Sequence, residues 1–299
     1  MRVEKADPVE LPPNAEVRLT EMGNVTEIMF SETRSTGGHI QKVSADQYID
    51  LKTGELKDFK KIENRSQDLN NVAKSLKKLR DILNTNITDV SFCRWVTLTY
   101  ADNMTDPVKL RYDAENCIKR LRAKFGHFEY ITVAEPQARG AWHLHCVFIF
   151  PGKAPYMAND IVADCWKKGF VVVKRLDDVD NVGAYLTAYL GDMELSEVEK
   201  LDRPFSCNGF KEVEYTDETG KKQSKKFVKG ARLCLYPPKF NIYRKSRGIK
   251  DPVVTVLPYY EAMKKAGSAK PTFSRTVRLS DDDTAFSNLL HYEYYNKLR

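Results

Sequence analysis

The sequence lacks long apolar runs: its longest stretch of consecutive apolar residues is Cys146–Phe150. A membrane-spanning helix needs about 20 such residues, so we expect no transmembrane segment. The N-terminal stretch MRVEKADPVELPP has no apolar core of a secretory signal. The six cysteines include no CxxC pair, which excludes a zinc ribbon and a dense disulfide framework. We therefore expect reduced thiols and a cytoplasmic protein.

Positive charge is confined to one part of the chain. The sequence is 42% hydrophobic and has a net charge of +7, so it can form a core of one or two domains. Residues 201–250 contain 13 Lys or Arg against five Asp or Glu, so this segment carries the whole positive excess. Such a segment favours contact with a phosphate backbone, the alternative being a solvated loop.

Residue periodicity predicts an α+β fold. A helix is expected at 68–83, and the elements that follow are strand 94–100, helix 113–125, strands 128–135 and 142–150, helix 159–168, strand 170–175 and helix 181–190. The β-α-β-β-α-β order is that of a ferredoxin-like (split β-α-β) fold, with a mostly antiparallel sheet and helices on one face. We expect an N-terminal accessory region at 1–90, a central domain at 91–195, and a basic C-terminal region at 196–299 that contacts DNA.

Two histidines stand two residues apart in a predicted strand. Side chains alternate along a strand, so His143 and His145 project from one face, close enough to bind one divalent ion. If Glu135 pairs with His143 across an antiparallel ladder, then Val133 pairs with His145 and all four share that face. Two imidazoles and a carboxylate suit a divalent metal. The alternatives are two hydrogen-bonded surface histidines and an unrelated strand-end acid.

Other residues are weaker candidates. Tyr185 and Tyr189 share one helix face and are either nucleophiles or core residues. Gln137 is a further possible ligand. The residues that we predict to contact DNA are Thr97, Thr99, Arg139, Lys174, Arg175, Arg244, Lys245 and Arg247. For the two threonines the alternative is an ordinary sheet strand.

Three motifs occur in a recognisable order: WVTLTY (95–100), AEPQARGAWHLHCVF (134–148) and VGAYLTAYL (182–190). Together they resemble the HUH endonucleases, named for a His-hydrophobic-His motif. Within that superfamily the chain looks most similar to rolling-circle replication initiators of small plasmids and filamentous phages, to which YPPKFNIYRKSRGIKDP (236–252) adds. The resemblance covers mainly residues 94–191.

The resemblance implies a role for each matching residue. His143, His145 and Glu135 would bind Mg²⁺ or Mn²⁺, Tyr185 would be the nucleophile, and Tyr189 the second tyrosine of two-tyrosine members. Residues 91–195 would then be a tyrosine endonuclease domain. It would nick and rejoin single-stranded DNA at a replication origin through a 5′-phosphotyrosine, with host polymerase and helicase as partners. The sequence has no GxxxxGK[ST] loop, so no fused helicase is expected.

One feature departs from the family pattern. A lysine normally follows the tyrosine by three residues, but Ala188 and Asp192 stand at those positions. Four cations are possible replacements: Lys167, Lys168, Lys174 and Arg175. The alternatives to an initiator are a relaxase or single-strand transposase with the same chemistry, a non-catalytic nucleic-acid-binding module, and a metal-binding structural protein.

Overall fold

The computed structural model of the chain describes residues 2–33, 38–176, 190–201, 209–216, 222–267, 270–281 and 286–298. The chain forms two compact units, residues 63–252 and residues 1–62 together with 253–299. In the part of the chain that the structure describes, no helix is long and apolar enough to cross a membrane. The functional division at residues 90 and 195 stays a prediction.

The unit formed by the two ends of the chain begins with six strands: β1 (Arg2–Lys5), β2 (Glu16–Met22), β3 (Val25–Ser31), β4 (Ile40–Lys42), β5 (Gln47–Asp50) and β6 (Leu56–Asp58). The last three form a small antiparallel sheet. The first three belong to a larger sheet that the C-terminal strands complete.

The 63–252 unit contains α1 (Leu69–Asn86), β7 (Cys93–Thr99), α2 (Pro107–Phe125), β8 (Glu129–Pro136), β9 (Trp142–Ile149), α3 (Asn159–Trp166), β10 (Val171–Lys174), β11 (Met193–Glu194), α4 (Leu195–Val198), β12 (Phe210–Thr216), β13 (Lys222–Val228) and β14 (Tyr243–Lys245). A 3-10 turn spans Ala231–Leu235. The predicted strands and helices between 94 and 175 are all present, in the predicted order. The helix predicted at 181–190 lies, up to residue 189, outside the described residues.

The C-terminal elements are β15 (Val253–Pro258), α5 (Tyr259–Ala266), β16 (Phe273–Asp281) and β17 (Phe286–Asn296). They join the first strands in an antiparallel sheet of order β1-β16-β17-β3-β2-β15. Val17, Leu19 and Ile28 pack with α5 to form the core of this unit.

The central sheet of the 63–252 unit has the order β10-β7-β9-β8-β14, and every pair in it is antiparallel. The protein is thus α+β with antiparallel sheets, as predicted. Its largest core residues include Trp142, Trp166, Phe128 and Phe148. The same core includes Leu79 and Leu83 of α1.

Two local features fix the helices against this sheet. α2 begins six residues earlier than predicted because Asp106 accepts hydrogen bonds from the amides of Val108 and Lys109, with Pro107 at the first helical position. After α3, Gly169 has φ +152° and passes so close to β7 that a Cβ would lie 2.4 Å from the Thr99 carbonyl oxygen. Only glycine fits there.

Candidate functional site

The two histidines and the glutamate lie on one face of the central sheet. Glu135 pairs with His143 and Val133 pairs with His145, so the predicted register is confirmed. On the other side of β9, Thr99 pairs with His143 and Thr97 pairs with His145. Directly paired residues share a sheet face. Three neighbouring strands therefore present these side chains together.

A chain of hydrogen bonds crosses this face. His145 Nε2 lies 2.7 Å from Glu135 Oε2, and His145 Nδ1 lies 3.3 Å from Thr97 Oγ1. Trp95 Nε1 donates to the same hydroxyl at 3.0 Å. Because an ionised carboxylate only accepts, Nε2 carries the imidazole proton and Nδ1 accepts from Thr97. The strand residues thus fix the ring of His145 on both sides.

Arg232 completes the cluster and was not anticipated from the sequence. Its side chain is only 9% exposed, and Nη1 lies 3.0 Å from Glu135 Oε1. The guanidinium also donates to the carbonyls of Pro136 at 2.8 Å and Asp192 at 3.0 Å. The single signal for it was its place in the basic segment 201–250, which does not distinguish it from the other cations there.

The charges around Glu135 set its protonation. Burial acts to raise the pKa of the Glu135 carboxyl, but the hydrogen bond from His145 and the charge of Arg232 outweigh burial and hold the pKa below its usual value. The carboxyl is therefore ionised at neutral pH. Each of its two oxygens contacts one cation or donor.

His143 has the opposite character. Its Nε2 is buried without a hydrogen-bond partner among the described residues. Burial lowers the pKa of His143 to about 4, so the ring is neutral at pH 7. Its ring centroid lies 6.3 Å from that of His145, at an interplanar angle of 85°. A buried imidazole nitrogen with a free lone pair is a ready metal ligand.

The residues fit a divalent ion in chemistry. Within the described residues, no three His, Cys, Asp or Glu side chains stand in a metal-holding arrangement. The reason lies in the contacts of Glu135, whose oxygens are engaged by Arg232 and His145. Two neutral imidazoles and one carboxylate nevertheless form a donor set that such ions accept, and the lone pair of His143 has no other use.

The remaining predicted residues near the cluster are distributed as follows. Arg139 is exposed and donates to Gln137 Oε1 at 3.1 Å and to the Tyr100 carbonyl at 3.0 Å. Lys174 is exposed and pairs with Trp95, which places it on the same sheet face as His145. Arg175 follows it and is also exposed.

Three further cations lie at or just beyond the edge strand β14. Arg244 and Arg247 are exposed, whereas Lys245 is half-buried and forms an ion pair with Asp251 at 3.0 Å. β14 pairs with β8, the strand that carries Glu135. The structure therefore brings this cationic edge next to the cluster, although the sequence separates them by about a hundred residues.

Tyr185 and Tyr189 lie outside the described residues. The chain reappears at Leu190, whose carbonyl lies 3.4 Å from the Tyr236 hydroxyl, and that hydroxyl also donates to Ala134 at 3.0 Å. The Arg232 amide donates to the Gly191 carbonyl at 3.1 Å. The residue directly after Tyr189 is thus held beside the residue directly before Glu135.

The fold and the cluster define a class of protein: an α+β domain whose antiparallel sheet bears two histidines and a glutamate on one face, next to a cationic edge. Residues 93–194 match a family model described as replication-associated protein ORF2. The matched range is about a third of the chain and contains every member of the cluster except Arg232. The match suggests a role in DNA replication. No curated protein and no solved structure matches the chain.

Proposed function

We propose that the protein initiates rolling-circle replication by nicking and rejoining single-stranded DNA in a metal-dependent reaction. The observation that carries this proposal is the convergence of Glu135, His143 and His145 on one sheet face, within the segment that matches replication-associated proteins. The HUH resemblance of the three sequence motifs supports the same chemistry.

The topology supports the proposal further. Numbering β7, β8, β9 and β10 as first to fourth, the sheet order is fourth-first-third-second. This is the strand order of a ferredoxin-like fold, which the resemblance implies. α2 and α3 connect the strands as the two crossover helices. We therefore propose that the central sheet is that of an HUH nuclease domain.

In this proposal Glu135, His143 and His145 hold Mg²⁺ or Mn²⁺, which when bound polarises the scissile phosphate. The chain's own part begins with Tyr185 or Tyr189, whose phenolate oxygen attacks phosphorus. A tyrosine–phosphorus bond forms as the bond to the 3′ oxygen breaks, and that oxygen takes up a proton. The products are a 5′-phosphotyrosine and a free 3′-OH that a host polymerase extends.

Arg232 is the cation that we propose in place of the missing lysine. It touches both the strand end that carries Glu135 and the segment that follows Tyr189, through Pro136 and Asp192. The other candidates are placed differently: Lys168, for example, lies 3.5 Å from Asp113. A guanidinium at this position can stabilise negative charge that develops on a phosphate during transfer.

The test is formation of a covalent adduct. The protein is incubated with Mn²⁺ and labelled single-stranded DNA from its own replicon, with and without EDTA, and run on a denaturing gel. We expect a metal-dependent adduct that is lost in the Tyr185→Phe/Tyr189→Phe double variant. Tyr156→Phe is the matched control, because Tyr156 is 85% exposed and lies outside the cluster.

Each result has a clear meaning. An adduct that persists in the double variant refutes the tyrosine assignment. Absence of any adduct, with DNA still bound, refutes the nuclease and leaves a nucleic-acid-binding module. A relaxase or transposase would give the same adduct, and the genes beside the cleaved site would distinguish it. The five described cysteines are all free, which agrees with the cytoplasm that we propose as its location.

A further inference from the structure

An open groove of about 610 Å³ runs along the 63–252 unit. One wall is α1 with the turn that precedes it, and the other is the stretch 239–245, which includes β14. α1 lies outside the segment that matches the family model. The amphipathic pattern that predicts this helix gives no function to its lysines.

The groove carries excess positive charge. Two of its cations are compensated: Arg65 pairs with Asp68 at 3.0 Å, and Lys245 pairs with Asp251. The other four form no ion pair with any residue that the structure describes, and all four are exposed; they are Lys74, Lys78, Lys239 and Arg244.

The helix itself provides a contrast. Lys77, on a neighbouring face of α1, forms an ion pair with Asp81 four residues later at 2.9 Å. Lys74 and Lys78 are likewise four residues apart, so they lie on one face of α1, but there they present like charges to the groove. Like charges at this spacing repel each other, and an anionic ligand removes that repulsion.

The groove also contains surfaces on which bases can stack. Phe240 and Tyr243 line it and are both partly exposed. Phe240 is held in place by stacking on Trp142, with ring centroids 4.7 Å apart and an interplanar angle of 15°. A cationic groove interleaved with aromatic rings is typical of proteins that bind single-stranded nucleic acid.

The groove adjoins the candidate site. Tyr243 pairs with Val133, and Val133 pairs with His145, so the three form one row across β14, β8 and β9. Two strand spacings separate Tyr243 from His145, which is about 10 Å. A DNA strand in the groove therefore lies within one or two nucleotides of the cluster.

We propose that the groove between α1 and residues 239–245 binds single-stranded DNA beside the cleavage site, with Lys74 and Lys78 on one wall and Lys239 and Arg244 on the other. The proposal rests on the proposed function for its choice of DNA as the ligand. It assigns DNA binding to a helix that precedes the matched segment.

The experiment measures binding of a 5′-fluorescein-labelled single-stranded 20-mer by fluorescence anisotropy over a range of salt concentrations. Two double variants remove one wall each: Lys74→Gln/Lys78→Gln and Lys239→Gln/Arg244→Gln. The control is Lys109→Gln/Lys119→Gln, which removes the same charge from exposed positions on α2 that do not line the groove. Thermal melting checks that all three fold.

Each wall variant should bind about tenfold more weakly, and its salt dependence should be shallower by about 1.4 in log Kd against log salt, since each phosphate contact on a single strand contributes about 0.7. The control should change the affinity much less. If either wall variant behaves like the control, the groove proposal is wrong. The same follows if duplex binding falls while single-strand binding does not.

The adduct assay separates this proposal from the nuclease proposal. Weakened binding by both wall variants, with no adduct in the wild type, would support the groove and refute the nuclease. Unchanged binding by the wall variants, with a tyrosine-dependent adduct in the wild type, would refute the groove and leave the nuclease in place.

Discussion

Removing the guanidinium of Arg232 should destabilise the 63–252 unit strongly. In Arg232→Met the side chain keeps most of its length but loses the ion pair with Glu135 at 3.0 Å and the hydrogen bonds to Pro136 and Asp192. Glu135 would remain ionised and mostly buried, without its main counter-charge. Breaking a buried ion pair in this way costs about 3–5 kcal/mol.

The lower end of that range applies here, since Glu135 keeps the hydrogen bond from His145 at 2.7 Å. We therefore expect a loss of about 3 kcal/mol, which at a urea m-value of about 2 kcal/mol/M lowers the unfolding midpoint by roughly 1.5 M. Tryptophan fluorescence reports this unit alone, because all three tryptophans lie within it.

A double-mutant cycle tests the reason for the loss. Adding Glu135→Gln to Arg232→Met removes the uncompensated charge, so the double variant should regain at least about 1 kcal/mol relative to Arg232→Met. Arg244→Met is the control, because Arg244 is exposed and should change stability by no more than about 0.5 kcal/mol. The reasoning is refuted if Arg232→Met is as stable as the control, or if Glu135→Gln gives no recovery.

Two further substitutions test other buried polar groups. His143→Leu should leave stability unchanged or raise it by about 1 kcal/mol, because it removes the unpaired buried Nε2, while abolishing the adduct; destabilisation beyond about 1 kcal/mol would contradict this. In the other unit, Glu293 accepts hydrogen bonds from Tyr295 at 2.9 Å and Tyr259 at 3.1 Å. Burial acts to raise the pKa of Glu293, but hydrogen bonds from His291, Tyr295 and Tyr259 lower it below the usual value. Its stabilisation is therefore present above about pH 4.5 and lost as pH falls through the folded-state pKa. Glu293→Gln should lack this acid-side loss, measured by hydrogen exchange of Phe286–Asn296 at about pH 3.5 and about pH 5.5; equal pH dependence in both proteins would contradict it.

Local patterns were sufficient to predict the strands that carry the site. Alternation along WHLHCVF gives the shared face of His143 and His145, and Pro136 ends the preceding strand at the right distance to bring Glu135 opposite His143. α2 was predicted too short because the apolar periodicity begins after its cap, whereas the Asp106–Pro107 pair starts the helix. Both outcomes depend on residues close in sequence.

Long-range pairings had no such local signal. β17 pairs with β3 across more than 250 residues, and nothing in either strand identifies its partner. The same limitation concealed β14, which has only three residues, and Arg232, whose turn meets Glu135 after a separation of 97 residues. Side chains that complete a site from a distant turn are visible only once the fold places them.

Arg232 also bears on how the site would accept a metal. With Glu135 ionised, Arg232 charged and His143 neutral, the carboxylate charge is already balanced before any ion arrives. A divalent ion and the guanidinium would therefore compete for the same carboxylate. If the proposed function is right, replacing Arg232 with a neutral residue should strengthen metal binding while it weakens the fold, because one positive charge is removed from the ligand set. Opposite signs for these two effects would separate a positioning cation from a residue that only stabilises the sheet edge.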